Sequence, residues 1–327
     1  MAAPWESLSS KLADQWLAAL LTPAFAFWLG GAALTLMERG AWGQALTWLE
    51  QQKTSSQVLL LVVILLLTGL SAFVVQRFTW AALRFLEGYW PALLSPLSGF
   101  MLTRKRKRIE RLEARFASLS ERFDDLTPQE CRKYQELEAR LLWVPSELSD
   151  LMPTRLGNVL RTAESRPRIK YGLDGVLCWP RLWLLLPPLP REELSEARAR
   201  LDSAAQLWIW GILFCFWSVS SLWALPIGIM VAVFAYRSAV AGGVHYGELI
   251  DSSYDLYRRE IYAALRWPLP RNPAEERELG KEITSYLLRG SDQDRPVFDN
   301  PEARPQSPDP QATLLKDRTR RVAALLS

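Results

Sequence analysis

The stretch QVLLLVVILLLTGLSAFVV, residues 57–75, decides how this chain is read. It carries no charged side chain over about the length an α-helix needs to cross the roughly 30 Å hydrocarbon layer of a bilayer. Three more apolar runs flank it at a distance: Trp16 to Met37, Ala204 to Leu222 and Pro226 to Val244, of which only the last holds a charge, Arg237. Runs of this length are rare in soluble cores. The four together predict an all-α integral membrane protein with four transmembrane helices. The charged blocks between them predict a helical cytoplasmic stalk or domain.

The averages conceal this pattern. Over 327 residues the chain is 49% apolar and 23% charged, with a net charge of +4 and a mean hydropathy of -0.02, values typical of a soluble protein. Cys131, Cys178 and Cys215 are far apart and form no C-x-x-C pair, and His245 is the one histidine. His/Cys metal sites, Ser-His-Asp triads and Cys-His dyads therefore lack material. No Walker A, G-x-G-x-x-G or H-E-x-x-H motif occurs. No catalytic residue, cofactor or metal is expected, although carboxylate chemistry with a divalent ion stays open. The first apolar run is too long for a secretory leader, is preceded only by Lys11, and has no close small-x-small cleavage site, so it is expected to be retained.

Topology follows from charge. Seven basic residues lie between Arg77 and Arg108, against two, Arg39 and Lys53, between the first two spans. Basic loops stay cytoplasmic. Both termini and the segment from about Gln76 to Ser203 are therefore predicted inside, with Trp223-Ala224-Leu225-Pro226 as an outer turn. Trp5, Trp16, Trp42, Trp48 and Trp223 mark the membrane edges, as amphipathic rings do.

Five segments emerge. Residues 1–90 hold an N-terminal transmembrane hairpin and an interfacial helix, 91–203 a cytoplasmic helical region, and 204–244 a second transmembrane hairpin. Residues 245–290 form further cytoplasmic helices, and 291–327 a Pro-rich flexible tail with a terminal amphipathic helix over Ala312 to Leu326 as one alternative to a frayed end. After the second span, Phe78, Ala82, Phe85, Leu86 and Tyr89 share one face of a helix that either continues out of the bilayer or lies in its interface, and Pro91 and Pro96 break it. A helix resumes over Lys105 to Phe123. Thr127-Pro128-Gln129-Glu130 reads as a capping box opening a second helix to about Trp143, antiparallel to the first. Leu194, Ala197, Leu201, Ala204 and Trp208 imply one helix rising into the third span. The fourth span extends inward in the same way, with Gly242, Gly243 and Gly247 as either a kink or a packing face.

Two charge features stand out. Arg104, Lys105, Arg106, Lys107 and Arg108 follow a membrane helix and are read as contacts to anionic lipid headgroups, each contributing about 1 kcal/mol near such a surface. Nucleic acid is the weaker alternative, because a mixed-charge helix follows. Arg237 is either a pore residue or an anchor whose head extends to the inner headgroups.

The succession Pro153-Thr154-Arg155-Leu156-Gly157-Asn158, Tyr171-Gly172-Leu173-Asp174 and Trp179-Pro180-Arg181-Leu182 resembles a group of uncharacterised bacterial multi-pass membrane proteins, over roughly Leu86 to Gly290. The resemblance implies a bacterial inner-membrane location and carries no activity with it. Arg155, Asn158, Arg161, Glu164, Asp174 and Arg181 are read as a polar network anchoring this unit to the stalk, or as a pocket for an anionic ligand. Gly30-Gly31 with Ala32 and Ala33, and Gly69 with Ser71 and Ala72, offer small faces for close helix packing. The expected function is a non-enzymatic, homo-oligomeric channel-like or signalling assembly gated through its cytoplasmic helices. The alternatives are an anchor recruiting a soluble partner and, more distantly, a lipid-modifying enzyme.

Overall fold

A computed structural model describes residues 23–290 and Phe298, all helical or irregular. Among the described residues there are ten α-helices and no strand. In chain order they are α1 (Pro23–Glu38), α2 (Trp42–Gln51), α3 (Thr54–Glu87), α4 (Ser95–Ser120), α5 (Pro128–Leu141), α6 (Arg155–Tyr171), α7 (Gly175–Leu185), α8 (Pro188–Phe214), α9 (Ala224–Ala264) and α10 (Pro273–Arg289). Trp5, Trp16, the start of the first apolar run, the Pro-rich tail apart from Phe298, and the stretch from Ala312 to Leu326 where a terminal helix is one expectation lie outside the described residues.

Two of these helices, α3 and α9, are long and apolar enough to cross a membrane. They differ in packing, since 33% of the apolar window of α9 is buried and only 11% of that of α3. The third apolar run is not one helix: α8 stops at Phe214, a 3-10 turn covers Cys215–Val219, and α9 begins at Ala224. The predicted outer turn is thus longer and starts earlier. Aromatic, β-branched and serine residues from Phe216 to Ser221 favour helix weakly. The tip is held by Ser220 and Ser221 backbone N–H groups donating to the Trp217 carbonyl, and by the Ser221 hydroxyl donating to Glu38 at 3.2 Å.

The α8–α9 hairpin closes on small residues. A β-carbon at Gly211 would sit 2.7 Å from the Ala232 backbone N, and one at Gly228 2.7 Å from the Gly211 carbonyl oxygen. Backbones approach this closely only where side chains are missing. The small face of α1 is filled inside the chain as well, because the Trp217 indole occupies the space above Gly31. Gly69 on α3 has nothing within 4 Å of its β-carbon position and remains open.

Three apolar clusters follow one another along α8, the last two also holding residues of α9. The first gathers Ala24, Val75 and Trp210. The second joins Leu83 and Leu86 of α3, Leu156 of α6, Leu201 and Ala205 of α8, and Ala239 of α9. The third, in a polar head, packs Leu173, Leu182, Leu194, Tyr254, Ile261, Tyr262 and Ile283. α9 passes the last two clusters without a break. Gly243 receives Leu156 and Gly247 receives the Trp143 ring, so these glycines form a packing face and not a kink.

α3 also runs unbroken, to Glu87, where Gly88 adopts the left-handed conformation (φ 104°) that closes helices. Its buried face is Val75, Thr79, Ala82, Leu83 and Leu86. Phe78 and Tyr89, expected on that face, are exposed. Pro96 opens α4 near its N-terminus instead of breaking a helix, so α4 starts ten residues before Lys105 and ends at Ser120. The Thr127 capping box is present, with the Thr127 N–H donating to the Glu130 carboxylate at 3.0 Å. Phe116 and Tyr134 stack at 4.7 Å, locking α4 and α5 into an antiparallel arm.

Candidate functional site

The site is built where α3 leaves its apolar stretch. The Thr154 hydroxyl caps α6 by accepting from the Gly157 N–H at 3.0 Å, and donates to the Glu87 carbonyl at 2.7 Å. Asn158, buried one turn on, accepts from the Met152 N–H at 2.7 Å. Lys105 of α4 donates to the Met152 and Pro153 carbonyls at 3.2 and 3.1 Å. The segment before α6 is therefore tied to three other parts of the chain within a few residues.

Beside this junction lies a cavity of about 220 Å³ whose lining includes Arg84, Glu87, Glu164, Arg198, Tyr246 and Trp179. Glu87 pairs with Arg84 at 3.2 Å and is only 12% exposed. Burial pushes its carboxyl above the usual range, against the lowering effect of Arg84. Glu164 is pushed up for the same reason, with Arg161 opposing, though its side chain is still 42% exposed and water blunts the effect. The negative charge of Glu164 raises Glu87 a little further. Arg84 and Arg198 with Glu87 and Glu164 make a lining of mixed charge that can hold a small charged or zwitterionic group.

The polar network expected from the sequence is present only in part. Arg161 bonds Asp150 at 3.1 Å and Glu164 at 3.4 Å, and Asp150 also accepts from Arg168 at 3.4 Å. Asp174 does separate work, capping α7 by accepting from the Leu177 N–H at 2.8 Å. Arg181 donates to the Leu177 carbonyl on its own helix at 2.7 Å. Arg155 is exposed, and its backbone N–H donates to the Tyr236 hydroxyl at 3.1 Å. Much of the Pro153–Asn158, Tyr171–Asp174 and Trp179–Leu182 succession thus serves caps and close contacts.

Several members escaped the sequence reading. Arg84 and Glu87 lie in the last turn of α3 and Arg198 in the middle of α8, and the α3, α6 and α8 contacts that gather them have no local signature. Arg166 was equally silent. It forms a pair with Asp251 that is 17% and 13% exposed, donates to the Leu142 carbonyl, and covers the Trp143 ring at 4.4 Å.

The basic run lies on α4 beside a groove of about 710 Å³ lined by Phe100, Met101, Arg104, Lys105, Lys107, Arg108, Arg111 and Pro153. Arg106 stands outside the lining and pairs with Glu110 at 3.3 Å. Burial, then the nearby Arg108 and Arg155, push Lys105 down to about 8. Arg237 is exposed on α9, close in sequence to the outward Val233 and Phe234. Burial pushes the Cys178 thiol up to about 12, leaving it a poor nucleophile. Among the described residues no group of His, Cys, Asp and Glu is placed to hold a metal ion.

No family model matches the chain, and no curated protein or solved structure matches it either.

Proposed function

We propose that this is a non-enzymatic, multi-pass protein of a bacterial inner membrane, with four spans and cytoplasmic termini. In this reading it assembles as a homo-oligomer that acts as a channel or signalling unit gated through its cytoplasmic head. The observation that carries the membrane reading is the bare surface of α3: Leu59, Leu66 and Leu70 are 65%, 68% and 64% exposed. Burying one such side chain contributes roughly 1.5–3 kcal/mol, so a whole helix of them in water is unfavourable. Lipid, or α3 of a neighbouring copy around Gly69, resolves this. The seven-to-two basic asymmetry supports the orientation. The continuity of α3 and α9 into the polar head supports coupling between the membrane and the cytoplasmic side.

The test joins two measurements on the full chain: subunit number in nanodiscs, and ion flux in liposomes. Several copies with flux support a channel, and several copies without flux support signalling. A strict monomer without flux overturns the assembly.

The α4–α5 arm favours a second reading, an anchor that recruits a soluble partner. The arm packs mainly on itself and keeps Phe123 57% exposed near its tip. Loss of partner capture after Phe123→Asp, with membrane insertion intact, would favour it.

A further inference from the structure

We propose that the groove between α4 and the segment leading into α6 is a binding site for the headgroup of an anionic lipid carrying two phosphates. Arg104, Lys107, Arg108 and Arg111 line it on successive turns of α4, all exposed, and none makes an ion pair among the described residues. Four unneutralised cations held by one helix repel one another until an anion joins them. A single phosphodiester offers one charge, whereas two phosphates on one headgroup match the row.

The apolar side of the site selects a lipid over a free phosphate. Leu93, Leu97 and Phe100, just N-terminal to the cations, are 89%, 48% and 63% exposed, a surface suited to acyl chains. An amphipathic helix with its apolar end toward the bilayer and cations at headgroup level has this division. The volume of about 710 Å³ accommodates a large headgroup. Lys105 closes the back of the groove, its ammonium turned away to the Met152 and Pro153 carbonyls. That bond links the groove to the segment that caps α6 against α3.

This proposal rests on the reading of α3 as membrane-embedded, which is checked separately by retention of the full chain in membranes after alkaline extraction. Loss from the membrane overturns that reading and leaves the lipid measurement to judge the groove. The groove is tested by native mass spectrometry of the full chain in neutral detergent, titrated with cardiolipin, phosphatidylglycerol or phosphatidylcholine. One cardiolipin should be retained at least about tenfold more tightly than phosphatidylglycerol. R104Q/R108Q/R111Q should weaken it by about ten- to a hundredfold, while R132Q on α5 leaves it unchanged. Raising salt on the unmodified protein should weaken retention progressively, a readout that does not depend on any variant folding. Equal retention of cardiolipin and phosphatidylglycerol, salt-independent retention, or indifference of the folded triple variant overturns the proposal. So does tighter binding of a single-stranded oligonucleotide at physiological salt.

Discussion

A β-carbon on Gly157 would lie 1.9 Å from the carbonyl oxygen of Glu87. The first turn of α6 is thus pressed directly onto the last turn of α3, and the Thr154 hydroxyl bonds the same oxygen at 2.7 Å. G157A is expected to force the two helix ends apart and destabilise the protein by about 1–3 kcal/mol, the usual range for overpacking. T154V, which removes the bond and the cap while keeping the shape, should cost about 1–2 kcal/mol. Denaturant unfolding in detergent would measure both. A neutral G157A would mean that the junction is looser than described.

The Arg166–Asp251 pair is buried enough that removing one partner strands the other. R166M should cost about 3–5 kcal/mol, and R166M/D251N should recover a part of it, because no uncompensated carboxylate is left inside. Thermal melts of the three proteins give the comparison. Equal losses in single and double variants would show that the Trp143 stacking and the Leu142 bond matter more than the charge.

Lys105 gives a pH signature. Its folded value of about 8 lies below the ordinary 10.5, so between these limits the unfolded chain holds a proton that the folded chain has released. Stability should therefore rise with pH across that window, and K105M should flatten the rise. Melting temperature measured from pH 7.5 to 10.5 checks it. A slope unchanged in K105M would assign the effect elsewhere.

Glu87 acts with the opposite slope. Its folded value is raised above 4.5, so its contribution is complete below 4.5 and is lost as pH rises through the folded value. E87Q, which keeps an acceptor for Arg84, should flatten this fall and be neutral or slightly stabilising at pH 7. Unfolding midpoints at pH 4 and pH 7 would show it. A strong loss at pH 7 would instead mean that the attraction between an ionised Glu87 and Arg84 outweighs the cost of burying the charge.

Much of the helical layout was legible because period and capping are local. The Thr127 box, the helix through Leu194 and Leu201 into the third apolar run, and the apolar block of α3 were all visible in the residues. Helix boundaries were less so. Pro96 reads equally as a breaker or a first-turn residue, and α2, only ten residues long, has too few turns to show a period. The site was legible in pieces. Arg161 and Glu164 lie one turn apart on the same helix and could be paired by spacing, whereas Asp150, Arg84, Glu87 and Arg198 reach them by tertiary packing that no spacing encodes. Arg237 could be located along α9 but not around it, and its exposure follows from which side the Gly228–Ala232 stripe turns toward α8.

The unbroken α9 gives the molecule a mechanical property. Its 41 residues form a rod of roughly 60 Å at 1.5 Å per residue. A tilt of about 10° around the Gly211–Gly228 crossing, near its N-terminal end, would sweep the far end sideways by close to 10 Å. With no hinge to absorb it, such a lever would carry a small change in packing among the apolar helices, amplified, to Tyr254, Ile261 and the helices resting on them.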